Sequence, residues 1–546
     1  MATDIKDLSS SENVVRSAGI ASIAVLTSRL SGLVREVILA RQFGAGQAYD
    51  AFLLGFRIPN LTRDLFAEGA LSSAFVPTFT QYLTTRSKDE AVRLSNLVAT
   101  ATILVVGALC VLGVVFSPFI VDLLAHPWRE NDPAKFALAI RMTRVMFPFL
   151  LLVALAAQAM GMLNACNQFG VPALSSTAFN LGSLGAGLAL GFWAGPYIGI
   201  SPIEGMSYGV VIGGALQLAY QLPSLRRQGF TFRPAMDWSH PGMRHIIHLM
   251  GPAILGNAAV QVNVMINTWF AAGILDPVRG PDGPVSWLTY AFRFMQLPLG
   301  LFGVAIASAT LPAISRSAAT GAMQDFRRTL SQSLGLVFLL TIPSSMGLVI
   351  LGRSMIGAVY QRGKFNVYDT QQTAVALSCY AVGLAGYAAL KVLTPAFYAL
   401  RDSRTPMIVS FLSIAINFGV ASTLIHTFKL GHAGLALSTS TVALFGFGAL
   451  FLILGRRIGG IHGRALAAST SKMIAASVVM GGAAWCSTSA MHRWLGNGSW
   501  AHLADLAVSI PVGLGVFYAT CRALRIAELE LATRALAGPL MRRLGR

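Results

Sequence analysis

Five arginines lie within apolar, membrane-length stretches: Arg29, Arg35, Arg57, Arg63 and Arg293. At the centre of a spanning helix each costs about 2.5–3.5 kcal/mol. A chain retains such residues where they face water, a counter-charge or an anionic ligand. No comparable set of carboxylates accompanies them, so the pattern predicts a cationic chamber that holds an anion. Arginine suits that task because its planar fork grips phosphate oxygens in pairs and stays charged when buried. For each arginine taken singly, snorkelling or internal pairing is an equal alternative. Arg35 has Glu36 beside it, and Arg63 has Asp64 and Glu68 close by. Glu36, Asp50 and Glu68 are then either ion-pair partners or proton carriers. Lys391 sits inside KVLTPAFYALRDSRTP (391–406) and either lines the same cavity or reaches the cytoplasmic surface. Arg141 and Arg144 read as interface anchors.

Other chemistry finds little support. There is no Walker loop, no GxSxG elbow, no GxGxxG and no DxD-like acidic cluster. His245 and His248 stand at i, i+3 without a third ligand, so no metal is expected. The five cysteines, Cys110, Cys166, Cys379, Cys486 and Cys521, are scattered singly and read as packing residues. No cofactor is implied, the chain is not expected to be an enzyme, and any work it does must draw on gradients or membrane potential. No acidic residue occurs from Ser403 to Ala504, which argues against a carboxylate sodium site there.

The elements that position these residues are membrane helices. The 546 residues are 54% hydrophobic and only 12% charged, where a soluble chain carries about twice that charge. Continuous apolar runs of roughly 20 residues exclude a barrel and predict an all-α polytopic membrane protein of about 14 spans. Pro59 and Pro77 are expected to kink or divide the long second run, Ser31-Gly32 to bend the first, and Thr394-Pro395 to weaken the tenth. Gly205, Gly209 and Gly213, at i, i+4, i+8, form a ridge for close helix packing. The first apolar run reads as a retained helix rather than a signal peptide. The net charge of +19 concentrates in alternate loops, with a roughly three-fold excess on the side of both termini. This places both termini in the cytoplasm and removes the need for a nucleic-acid partner. The stretch 524–546 is a basic amphipathic segment suited to the cytoplasmic leaflet surface.

The chain also repeats itself. Phe56-Arg57 recurs as Phe292-Arg293, residues 65–77 as 301–312, 164–172 as 398–406, and Arg226-Arg227 as Arg456-Arg457. Four matches in one order predict two six-helix lobes, 1–228 and 229–458, related as a parallel repeat. Residues 459–546 add two helices and a basic tail.

The stretch SRLSGLVREVILARQFGAGQAYDAFLLGFRIPNLTRDLFAEGALSSAFVP (28–77) resembles the opening of the MurJ (MviN) family of bacterial lipid II flippases. YAFRFMQLPLGLFGVAIASATLPAISRS (290–317), YQRGKF (360–365) and KVLTPAFYALRDSRTP resemble further blocks in the family's order. The resemblance implies a member of the multidrug/oligosaccharidyl-lipid/polysaccharide exporter superfamily, with two lobes around a cationic cavity and two extra helices for the polyprenyl tail. Functional residues of the family fall on Arg29, Arg35, Asp50, Arg63, Glu68 and Arg293. Glu36 stands where members often have Asp. Asp64 follows Arg63 where many have a basic pair, which makes that place less cationic. The implied function is alternating-access transfer of lipid II across the bacterial inner membrane. Its partners are lipid II and membrane lipids; the protein is expected to act as a monomer, with cell-wall synthesis proteins as further partners. A flippase for another polyprenyl-diphosphate saccharide fits the charges equally well. A polyprenyl-linked glycosyl- or phosphotransferase should carry catalytic acids that this chain lacks.

Overall fold

The computed structural model describes residues 24–64, 71–461, 463–496 and 498–533. The described residues are nearly all helical, with no β-strand. The fold is that of a polytopic α-helical membrane protein, as composition requires. Eight described helices are long and apolar enough to cross a bilayer, or nine if one bent pair forms a single span.

The chain forms two compact units, Met1–Gly273 and Ile274–Arg546. The first contains α1 (24–43), α2 (Gln47–Thr62), α3 (Ser72–Thr85), α4 (Lys88–Val115), α5 (Ser117–Asn131), α6 (Pro133–Met146) and α7 (Phe149–Ala165). It continues with α8 (Gly170–Leu188), the short α9 (Gly195–Ile198), α10 (Pro202–Arg227) and α11 (Pro241–Gly273). Helix α11 follows the boundary expected at 228, yet it packs on α3, α4 and α5. Phe75, Phe79, Leu94, Leu97, Leu163 and Ile246 are all buried in one core joining α3, α4, α7 and α11. The expected glycine ridge does bring α10 onto α8. A Cβ at Gly205, Gly209 or Gly213 would lie 2.3–2.8 Å from the backbone of Gly191, Ser183 or Phe179.

The second unit contains α12 (Pro284–Pro298), α13 (Ala305–Ala319), α14 (Met323–Tyr360), α15 (Val367–Val382), α16 (Leu384–Ala399), α17 (Arg404–Ser422), α18 (Gly431–Ile458), α19 (Gly463–Leu495) and α20 (Ser499–Ala523). Its core runs from Phe326 and Leu334 on α14 through Leu393 and Phe397 on α16 to Met473 on α19 and Cys521 on α20.

Local backbone features recur in the two units. Helices α7 and α16 both end in a left-handed residue, Asn167 and Arg401, each with φ of 58°. Each is followed by the same wrap-around bond, Gln168 N–H to Leu163 O and Asp402 N–H to Phe397 O. Wide π-turns follow α2 at 63–64 and α12 at Leu299–Val304, and they recur after α8 and after α17.

The prolines expected to kink or weaken helices lie within them. Pro59 and Pro77 lie inside α2 and α3, and residues 65–70 between those helices lie outside the described residues. Pro395 lies inside α16, while the α15–α16 pair bends by 43° beside Gly383. A proline removes one hydrogen bond, which packed neighbouring helices tolerate. Helix α1 runs unbroken through Ser31-Gly32. Those small residues instead admit Asn180 of α8, whose Nδ2 donates to Ser28 O and Ser31 Oγ at 3.1 Å.

Candidate substrate-binding residues

Helix α1 carries the first two arginines. Arg29 is exposed and Arg35 half-buried, with Glu36 buried beside it. The Arg35 guanidinium lies over the Phe179 ring, 5.2 Å from its centroid. Phe179 begins an aromatic ladder that passes to Phe149 (5.4 Å) and Phe56 (5.7 Å), so α8, α7 and α2 are stacked together beneath that cation. A ring-face contact engages the π surface of a guanidinium. Arg57, next to Phe56 on α2, is half-buried. Arg63 lies in the π-turn after α2 and bonds Asp64 through Nε (3.2 Å) and Nη2 (2.9 Å). Both partners are partly exposed, at 25% and 35%, so this pair contributes little stability. Glu68 lies outside the described residues.

Asp50 has a partner that the sequence did not suggest. It is fully buried near the start of α2 and accepts a bond from Lys135 Nζ at 2.9 Å; Lys135, on α6, is fully buried too. The ammonium also sits 4.2 Å from the centroid of Trp128. This contact is an ion pair with a lysine. The available signal was Asp132-Pro133: an N-cap acid followed by proline at the first helical position places Lys135 inside a helix, not in a loop. The cap is present, with Lys135 N–H bonded to Asp132 Oδ1 at 2.9 Å.

The second unit holds a related junction. Asp369, fully buried near the start of α15, accepts from Trp287 Nε1 of α12 (3.0 Å) and from Arg279 Nη1 (2.7 Å). Arg293 and Lys391 are both exposed, on α12 and α16. Arg141 pairs with Glu204 at 2.8 Å and Arg144 Nε donates to Ser117 Oγ at 2.9 Å, so both have protein partners.

A family profile described as Lipid II flippase MurJ matches residues 39–503. The chain is similar to the lipid II flippase MurJ of Burkholderia cenocepacia, with 33% identity over 82% of this chain and 85% of that one. It is also similar to the probable lipid II flippase MurJ of Vibrio cholerae, with 31% identity over 96% and 99% of the two chains. Among solved structures it is similar to a lipid II flippase MurJ in an inward closed conformation, with TM-score 0.73, 25% identity and coverage of 92% and 99%. An inward-facing multidrug resistance MATE transporter of the MOP superfamily shares the fold, at TM-score 0.65 and 15% identity over 81% and 95% of the two chains. The match runs through nearly all of both units, and the chain belongs to the lipid II flippase MurJ family.

Proposed function

We propose that this protein moves lipid II from the inner to the outer leaflet of the bacterial inner membrane by alternating access. It is a transporter, not an enzyme. The observation that carries the proposal is the family match over residues 39–503, which spans both units without interruption. The MOP fold adds support, since MATE members of that fold have been solved in inward-facing and outward-facing forms.

In this proposal Arg29, Arg35 and Arg63 of the first unit and Arg293 of the second bind the diphosphate, with Arg57 and Lys391 as outer contacts. Guanidinium groups supply charge and paired donors to phosphate oxygens. Glu36 and Glu68 tune those arginines, and Asp50 acts through its pair with Lys135. Both termini lie in the cytoplasm, the protein works as a monomer, and cell-wall synthesis proteins are its neighbours. A headgroup of charge about −2 leaving a negative interior would gain roughly 4–5 kcal/mol per 100 mV if it crossed the whole field.

The test is depletion of the protein in growing cells with a headgroup-accessibility assay. Lipid-linked precursor should accumulate on the cytoplasmic face. Unchanged labelling at the outer face would overturn the proposal.

A further inference from the structure

The helices α19 and α20 meet α14 through polar groups that no substrate chemistry requires. Ser354 of α14 is buried, as are His502, Asp505 and Ser509 of α20. His492, near the end of α19, keeps 19% of its side chain exposed. Ser354 Oγ lies 2.5 Å from Asp505 Oδ2 and 3.0 Å from His492 Nε2. The other ring nitrogen, His492 Nδ1, lies 3.0 Å from the carbonyl oxygen of Gly496. The second carboxylate oxygen, Asp505 Oδ1, accepts from Ser509 Oγ at 2.7 Å.

Hydrogen counting along this chain of contacts is decisive. Three links run from Asp505 to Ser354, to His492 and to Gly496, and each needs one hydrogen. The serine hydroxyl supplies one, and the carbonyl supplies none. An ionised Asp505 with a neutral His492 supplies only one more, so two acceptors face each other at one link. One additional proton completes the set. It can sit on the imidazole, giving an imidazolium beside a carboxylate. It can equally sit on the carboxyl, with the serine hydroxyl turned toward Nε2. The proton belongs to the set rather than to either residue.

We propose that His492, Ser354 and Asp505 form a proton-binding site that fastens the α19–α20 hairpin to α14. The charged and titratable groups facing it are Asp505 and His502 from α20 and Arg353 from α14. His502 packs edge-on against His492, at 5.1 Å between centroids, and its ring nitrogens have no hydrogen-bond partner among the described residues. Two imidazolium rings so close would repel, which limits the set to one bound proton. Gly357 makes room for His502: a Cβ there would lie 2.5 Å from the ring. The exposed edge of His492 gives water a route to the site. Loss of the additional proton leaves two acceptors facing each other and unfastens one of the three links.

Hydrogen–deuterium exchange on the full chain in lipid nanodiscs tests this, with His492→Gln and Asp505→Asn as variants. After correction for intrinsic exchange, wild-type amides of 493–505 should lose roughly tenfold in protection between about pH 6 and 8, while those of α10 do not. Both variants should show no such step. A flat wild-type profile overturns the proposal, and so does a step that persists in His492→Gln. Should one variant fail to fold, the other decides: a step that persists in Asp505→Asn overturns the proposal in the same way.

Discussion

Asp50 and Asp369 hold corresponding helix junctions in the two units, with the polarity reversed. In the first unit the fourth residue of α2 is an acceptor, Asp50, and the third residue of α6 is a donor, Lys135. In the second, the fourth residue of α12 is a donor, Trp287, and the third residue of α15 is the acceptor, Asp369, which Arg279 neutralises further. Complementarity has been kept while identity has not. A duplicated backbone needs a satisfied polar contact at this junction and is indifferent to which helix supplies the charge. The environments differ as well. Lys135 is fully buried, whereas Arg279 keeps 22% of its side chain exposed. The first junction is therefore the more vulnerable to losing one partner.

The largest effect should come from Lys135→Met, which leaves the Asp50 carboxylate buried without its cation and costs about 3–5 kcal/mol. The double change Asp50→Leu with Lys135→Met should recover most of that loss, because no charge is then stranded. Denaturant or thermal unfolding of the purified protein measures both. A single variant as mild as the double would break the comparison. Next, Asp369→Asn retains an oxygen acceptor for Trp287, and Arg279 reaches water, so the loss should be about 1–2 kcal/mol. Trp287→Phe removes one neutral donor and should cost about 1 kcal/mol in the same measurement. An Asp369→Asn loss equal to that of Lys135→Met would show that the two junctions are equivalent after all.

The smallest effect is expected at a loop pair outside the bilayer. Asp402 accepts from Thr405 N–H (3.0 Å) and Thr405 Oγ1 (2.7 Å), and it also pairs with Arg457. These contacts, the Thr405 backbone bond foremost, hold its carboxyl below the usual carboxylate range. A lowered folded value stabilises above the unfolded range and is lost as pH falls through it. The melting-temperature gap between wild type and Asp402→Asn should be small near neutrality and should vanish in acid. A gap that widens in acid would contradict the sign.

Much of the fold was legible in the sequence because its signals are local. Continuous apolar runs gave helices, and the spacing of Gly205, Gly209 and Gly213 gave a close-packing ridge, which α8 meets. The junction partners were not legible. Lys135 and Asp50 are 85 residues apart, and nothing local to either names the other. Helix α6 begins before its apolar stretch, at the Asp132-Pro133 cap, so Lys135 stands in a polar first turn. The 43° bend between α15 and α16 was not legible either. Proline marks where a hydrogen bond is missing, but where a packed helix bends depends on its neighbours, as at Gly383. The arginines were legible as a costly set; which of them meets a ligand depends on a substrate that only the family identifies.

The most direct measurement is complementation in depleted cells by the variant Arg29→Ala, Arg35→Ala, Arg293→Ala, read together with outer-face labelling of lipid II. The protein should insert and fold, yet growth should fail and precursor should remain on the cytoplasmic face. Full growth with normal outer-face labelling would contradict the claim that these guanidinium groups carry the diphosphate.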